Sequence, residues 1–291
     1  MSRIAYVNGR YVPHRGARVH VEDRGMQFAD GVYEVIHVHG GHFVDEDRHL
    51  SRLERSLGEI RIAPPMSRPA LTRVLREVVR RNRVGEGLLY IQVTRGAARR
   101  DFAFPPPGTS PTLVVTARHI PAFPRDVARW TVTVITHPDQ RWARRDIKST
   151  ALLPNVLAKQ AARERGAFEA ILLDSDDMVT EGSSSTAWIV DGQGRLRTRR
   201  LGQEILPGCT RAALIAEMQA AGIPFEERAF SAAELRQARE AFLTSATSFV
   251  KPILAVDGEP VGDGQVGPVT RRLFTLFGAH VAEPCRMGER C

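Results

Sequence analysis

Short strand-period runs, each closed by a glycine turn, constrain the fold of this chain more than any other feature. Ile4 to Val7 and Arg10 to Val12 flank Asn8-Gly9, the strongest short-range hairpin signal. Val32 to Val38 ends at Gly40-Gly41 with His42 to Val44 returning, and Thr186 to Val190 and Leu196 to Thr198 flank an Asp-Gly turn. Leu88 to Arg95, Thr112 to Ile120, Thr131 to Thr136, Phe168 to Leu173 and Ala241 to Leu243 read as further strands. Helical periods stand among them. One helix starts near Asp47, with Leu50, Leu53, Leu57 and Ile60 on one face and Arg52 on the opposite, polar face. Others are expected at Ala70 to Arg83, Pro154 to Arg165 with Gly166 as its stop, Thr210 to Ala221, Ala232 to Arg239 behind the capping box Ser231-x-x-Glu234, and Pro268 to Ala282. The mixture is of the α+β class. Pro121-Ala122-Phe123-Pro124 reads as a linker, which predicts a small N-terminal domain over 1–120, a linker over 121–125 and a larger domain over 126–291.

A chain of 291 residues buries a core without disulfides or metal. No apolar run approaches the ~20 residues of a spanning helix, and the N-terminus lacks a signal-peptide core. Cys209, Cys285 and Cys291 have no metal-ligand spacing, and the last two lie in a polar tail, so a cytoplasmic, reduced setting is expected. The net charge of +8 raises nucleic acid or membrane as a partner. Basic residues are interleaved with acids, as in Asp45-Glu46-Asp47-Arg48, and no aromatic-basic array accompanies them, so a solvated arginine-rich surface is the better reading.

Lysine is the informative residue. Of 41 lysines and arginines only Lys148, Lys159 and Lys251 are lysine, so the chain uses arginine wherever a bare positive charge suffices. A retained lysine can do what arginine cannot, such as form a Schiff base. Lys148 stands just ahead of a helix among mostly apolar residues; Lys159, mid-helix beside Gln160, reads as solvated. Taken alone, the Lys148 segment fits a surface lysine near a helix start better. Pro207-Gly208-Cys209-Thr210-Arg211 opens a helix, whose unpaired amides and dipole suit a phosphate, although an ordinary turn with Thr210 as cap fits almost as well. Thr244-Ser245-Ala246-Thr247-Ser248 is a second, weaker phosphate candidate. Glu181 precedes Gly182-Ser183-Ser184-Ser185, small residues that let a flat ligand approach, or is an exposed loop acid. Tyr90, Gln92 and Thr94 share one strand face that is polar for a core.

In order along the chain these segments resemble the fold type IV pyridoxal-phosphate enzymes, closest to the D-amino-acid transaminases. The matching stretches are Asp30-Gly31-Val32-Tyr33-Glu34-Val35, His49-Leu50-Ser51-Arg52-Leu53, Gln92-Val93-Thr94-Arg95-Gly96, Asp146-Ile147-Lys148-Ser149, Ala158-Lys159-Gln160, Glu169-Ala170-Ile171-Leu172, Val179-Thr180-Glu181-Gly182 and Pro207-Gly208-Cys209-Thr210-Arg211. The resemblance implies two domains, the larger one β-barrel-like with flanking helices. It implies pyridoxal 5'-phosphate as cofactor, joined to Lys148 as a Schiff base, with Glu181 at the pyridine nitrogen. Arg52, Cys209, Thr210, Ala246 and Thr247 would take the phosphate, which overrides the polar-face reading of Arg52. Tyr33, Tyr90 and Arg100 would face substrate, and Phe102 stands where the D-amino-acid branch has a histidine. Leu153 stands where branched-chain enzymes have a tyrosine against the cofactor.

The implied reaction is ping-pong exchange of an amino group between a D-amino acid of the D-alanine or D-glutamate type and a 2-oxo acid, in a homodimer. The alternatives on the same scaffold are an aminodeoxychorismate lyase, a branched-chain L-amino-acid transaminase and an (R)-amine transaminase. A basic nucleic-acid-binding protein is the remote alternative.

Overall fold

The computed structural model describes residues 3–282, so Cys285 and Cys291 lie outside the described residues. The chain divides into two compact units. The first runs to Ala122 and takes in Ile147–Ala151; the second comprises Phe123–Asp146 and, among the described residues, the chain from Leu152 onward. A segment from the middle of the sequence, the one that carries Lys148, is therefore built into the first unit.

The first unit contains β1 (Ile4–Val7), β2 (Arg10–Pro13), α1 (Arg24–Phe28), β3 (Gly31–His39), β4 (His42–Phe43), α2 (Glu46–Glu59), α3 (Arg68–Asn82), β5 (Gly87–Thr94) and β6 (Thr112–His119). Its strands form an antiparallel sheet in the order β2-β1-β6-β5-β3-β4. Asn8 and Gly9 adopt φ of 44° and 90°, the left-handed pair that a two-residue hairpin turn requires. Alternation along β3 and β5 sends Val32, Ile36, Val38, Leu89, Ile91 and Val93 into one core with Leu50, Leu53 and Leu57 of α2 and Leu71, Leu75 and Val78 of α3. Ile147 joins that core from its distant place in the sequence.

The second unit contains β7 (Val132–Pro138), α4 (Leu153–Glu164), β8 (Glu169–Leu173), β9 (Val179–Gly182), β10 (Thr186–Val190), β11 (Leu196–Thr198), α5 (Cys209–Ala220), β12 (Glu226–Glu227), α6 (Ala232–Arg236), β13 (Glu240–Ser245), β14 (Phe249–Val256), β15 (Glu259–Pro260) and α7 (Pro268–Ala282). The sheet order is β12-β11-β10-β13-β14-β7-β8-β9, with β15 on β14. It curls into a half-barrel, and the Gly182 amide at the end of β9 donates to Ser185 O at 2.7 Å in the turn that leads to β10. The pairs β14-β7 and β7-β8 are parallel, and α4 makes the crossover between β7 and β8. Trp188, Leu214, Phe242, Phe249, Leu273 and Phe277 form one core of this unit.

Two readings are corrected, and burial agrees with setting aside the polar-face reading of Arg52. Strand β14 was not anticipated, because Lys251 and Pro252 interrupt its apolar run. Helix α6 ends at Arg236 and not at Arg239, whose amide leaves the helix to donate to Val190. Arg52 is not on a solvated face: it is 9% exposed, on a stripe His49, Arg52, Ser56 that is buried beside the leucines of α2. The spacing of that stripe is helical, and strand β3 meets it with a carboxylate, which a hydrophobic pattern cannot reveal.

Candidate active site

In the first unit the backbone around Lys148 is clamped to the start of β3. The Tyr33 amide donates to Lys148 O at 3.0 Å, the Thr150 amide to Gly31 O at 2.9 Å, and Ser149 forms a bridge with Val32. The Thr150 hydroxyl donates to Ala29 O at 2.9 Å. Gly31 has no room for a side chain, since a Cβ there would stand 2.8 Å from Val93 O on β5. The amine of Lys148 lies 4.2 Å from the centre of the Tyr33 ring, and it takes no hydrogen bond or ion pair among the described residues. A half-buried amine kept off carboxylates is the donor that covalent attachment of an aldehyde requires.

The Tyr33 and Tyr90 rings stack with centroids 5.8 Å apart, and the Tyr90 hydroxyl donates to Gln92 Oε1 at 2.7 Å. Burial, with the neighbouring Tyr33 adding to it, pushes the Tyr90 phenol up to about 12, so it remains a donor at neutral pH. Lys148, Tyr33 and Tyr90 are thus brought together on the sheet face opposite the helices.

Glu34, on the helix-facing side of β3, receives the Arg52 guanidinium edge to edge, and His49 Nδ1 lies 2.8 Å from its Oε2. Burial works to raise the Glu34 carboxyl, but the charge and hydrogen bonds of Arg52, aided by His49, hold it well below the ordinary carboxylate range. Nε and Nη2 of Arg52 are therefore committed to aiming the side chain, a support that the sequence reading did not assign to Glu34.

The Arg100 guanidinium lies 4.6 Å from the centre of the Phe28 ring. Phe28 is also met by Arg24 at 4.8 Å and by the Phe102 ring at 5.5 Å. Phe102 is 86% exposed. Arg24 ties the loop down by donating to Asp101 O at 2.6 Å.

In the second unit Glu181 is buried on β9 and accepts from Arg141 Nη1 and from the Leu206 amide, 3.2 Å from Oε1. Arg141 is held in turn by Asp139, through Nε at 2.9 Å and Nη2 at 2.7 Å, and Asp139 accepts from the Thr180 hydroxyl at 2.7 Å. Burial lowers the Arg141 guanidinium, but Asp139 and Glu181 outweigh it and raise it, so this charge is permanent. A buried carboxylate needs such a partner. Arg141 and Asp139 carried no signal in the sequence, since one arginine among so many is unremarked.

Helix α5 begins at Cys209 behind Gly208, so no side chain caps its first-turn amides, and Cys209 and Thr210 are both buried there. The turn carrying Ala246 and Thr247 is closed by the Ser248 amide donating to Ser245 O at 3.2 Å, with the Ser245 and Thr247 hydroxyls 3.1 Å apart. Phe249 follows at φ 50°, a left-handed conformation that is strained for an aromatic residue, and packs against Phe123 and Phe277 at 4.6 and 5.3 Å. That packing fixes the turn. An uncapped helix start and a hydroxyl-bearing turn are the donor set an anion such as a phosphate takes.

Two small expectations change. Ser183 and Ser184 do not simply clear space: their hydroxyls donate to the buried Glu169 carboxylate, the second at 2.6 Å. Lys159 is partly exposed but engaged, bonding Phe168 O and standing 3.5 Å from Glu169. Leu153 is exposed.

Residues 31–256 match the family described as Amino-transferase class IV. The chain is 41% identical over 271 residues to the D-alanine aminotransferase of Bacillus licheniformis, covering 93% of this chain and 94% of the relative. It is 39% identical over 276 residues to the D-alanine aminotransferase of Staphylococcus aureus (strain MSSA476), covering 95% and 97%. Among solved structures it is similar to the Escherichia coli branched-chain amino acid aminotransferase, with TM-score 0.86 and 26% identity over 99% of this chain and 98% of that one. A T.th. branched-chain amino acid aminotransferase complexed with N-(5'-phosphopyridoxyl)-L-glutamate is similar at TM-score 0.86 and 25% identity, covering 98% and 96%.

Proposed function

This chain belongs to the class IV aminotransferase family, and from that premise we propose that it is a pyridoxal-phosphate enzyme exchanging the amino group of a D-amino acid with a 2-oxo acid. The observation that carries the reading is the Lys148 amine, fixed by its backbone to β3 and presented over Tyr33 with no carboxylate paired to it among the described residues. The D-amino-acid preference is supported by the D-alanine aminotransferases that this chain resembles at 37–41% identity.

When bound, pyridoxal phosphate supplies an electron sink for the bond broken at the substrate's Cα. Lys148 Nζ carries the cofactor covalently and takes and returns the Cα proton. Glu181, with its charge held by Arg141, would keep the cofactor's pyridine nitrogen protonated. Arg52 of the first unit and, in the second, the Cys209 and Thr210 amides, the Thr210 hydroxyl and the Ala246-Thr247 turn are the groups that would offer donors to the phosphate. Tyr33, Tyr90 and Arg100 receive the substrate. One site serves both half-reactions, so ping-pong kinetics follow. A homodimer in the cytoplasm is the working form we propose, on the family resemblance alone.

The test is spectroscopic. Purified protein is mixed in turn with D-alanine, D-glutamate, L-leucine and L-valine while cofactor absorbance is followed, alongside Lys148→Ala. D-Amino acids convert the cofactor in the parent protein, and Lys148→Ala lacks the covalent band and the half-reaction. Conversion by the L-amino acids alone would defeat the stereochemical assignment.

A further inference from the structure

We propose that His37, His39 and Glu86 form a binding site for a divalent transition-metal ion of the zinc type. His37 and His39 lie two residues apart on β3 and so share a face of the sheet. In the antiparallel register Val38 pairs with Gly87 and His37 with Leu88, which sets Glu86, the residue ahead of β5, opposite His39. One ring nitrogen from each histidine and one carboxylate oxygen lie within 4.8 Å of one another.

The carboxylate is already aimed. Its Oε1 accepts from the Gly40 amide at 2.9 Å, and its Oε2 stands 3.1 Å from His39 Nδ1. Two donors on one tetrahedral ion bound at ~2.0 to 2.2 Å lie roughly 3.4 Å apart, so His39 and Glu86 need almost no adjustment. A backbone bond on the far oxygen is the outer support that orients a metal-binding carboxylate. Two imidazoles and a carboxylate select zinc, cobalt or nickel over magnesium or calcium, which demand oxygen donors throughout. His37 is buried, whereas His39 and Glu86 are part exposed, which leaves a solvent side for a water ligand and for entry of the ion. None of the three belongs to the proposed catalytic set. An ordinary His39–Glu86 ion pair explains two of these residues; a second imidazole whose ligand atom lies within 4.8 Å of both, on the same face, is what an ion adds a reason for.

The experiment uses the holoenzyme, stripped with a chelator and dialysed. Zinc chloride is titrated by calorimetry, and bound zinc is counted by elemental analysis. One zinc per chain is expected. His39→Ala and Glu86→Gln each weaken binding by at least ~10-fold and keep the transaminase rate measured in chelator. Glu86→Gln is a part-exposed, conservative change, so folding does not decide the result. Absence of stoichiometric zinc in the parent protein, or binding that Glu86→Gln and His39→Ala leave unchanged, overturns the proposal. So does loss of binding on His42→Ala with His37→Ala unaffected, because His42 pairs with His39 across the Gly40-Gly41 turn and would then be the true ligand.

Discussion

Arg52 meets Glu34 edge to edge, Nε to Oε1 at 2.7 Å and Nη2 to Oε2 at 2.9 Å, with the carboxylate out of reach of water. A helix and a strand of the first unit are thereby locked in register by a charge pair. Removing one partner strands the other in a dry site, so Glu34→Gln is expected to lower stability by about 3 to 5 kcal/mol and to weaken retention of the cofactor. Urea unfolding and the cofactor content of dialysed protein check both. The depressed Glu34 carboxyl contributes stability that is complete above its ordinary value of 4.5 and is lost as pH falls below it toward the folded-state value. The parent protein should therefore lose stability relative to Glu34→Gln on acidification, and equal acid sensitivity would refute the role.

Arg141 stands between two acids, and Arg141→Met leaves Asp139 and Glu181 buried without it. The expected result is a loss of roughly 3 kcal/mol in stability and a fall in kcat of about 10²-fold or more from the mis-set Glu181. Stopped-flow half-reactions on the folded variant separate the two effects. An unchanged Cα proton-transfer rate would show that Glu181 works without this support.

Phe102 packs on Phe28 at the surface, where the D-amino-acid branch has a histidine. Phe102→His restores a charge-assisted donor worth ~1.5 to 3 kcal/mol. KM for D-glutamate or D-alanine should fall by about 10-fold or more, with kcat changed little. A KM that does not move places the substrate carboxylate elsewhere.

Lys251 is 6% exposed, with its amine 3.2 Å from the centre of the Trp130 ring and 4.5 Å from that of Phe168. Burial, and then repulsion from Lys159, pushes it down to about 8 from 10.5. The ring faces offset part of the burial cost, by about 0.5 to 2 kcal/mol. Below pH 8 the folded state must keep a buried charge; between 8 and 10.5 the unfolded chain binds more protons, so stability rises with pH. Lys251→Met should remove that rise, which denaturation midpoints across this window will read. An identical pH dependence in both proteins would contradict it.

Much of the fold was legible because its signals are local. Strands β10 and β11 and helix α7 stand where periodicity sets them, and the Ser231–Glu234 capping box forms as read. Strand β14 escaped because Pro252, which cannot donate to a ladder, argues against a central strand, yet β14 lies between β13 and β7. Composition singled out Lys148 together with Lys159 and Lys251, since in a chain that prefers arginine a lysine stands out, and the resemblance chose among them. Arg141 was illegible for the converse reason, and Glu34 because a strand acid reads as solvated until a helix arrives to cover it.

The loan of Ile147–Ala151 to the first unit has a consequence for how this enzyme can be taken apart. Cutting after Ala122 would not produce two self-sufficient modules: the leading fragment would lack Ile147 from its core, and the trailing one would carry a reactive amine with no strand to pin it. Catalytic competence is thus a property that only the uninterrupted or reassembled polypeptide can acquire, and fragment complementation should recover it where neither piece alone does.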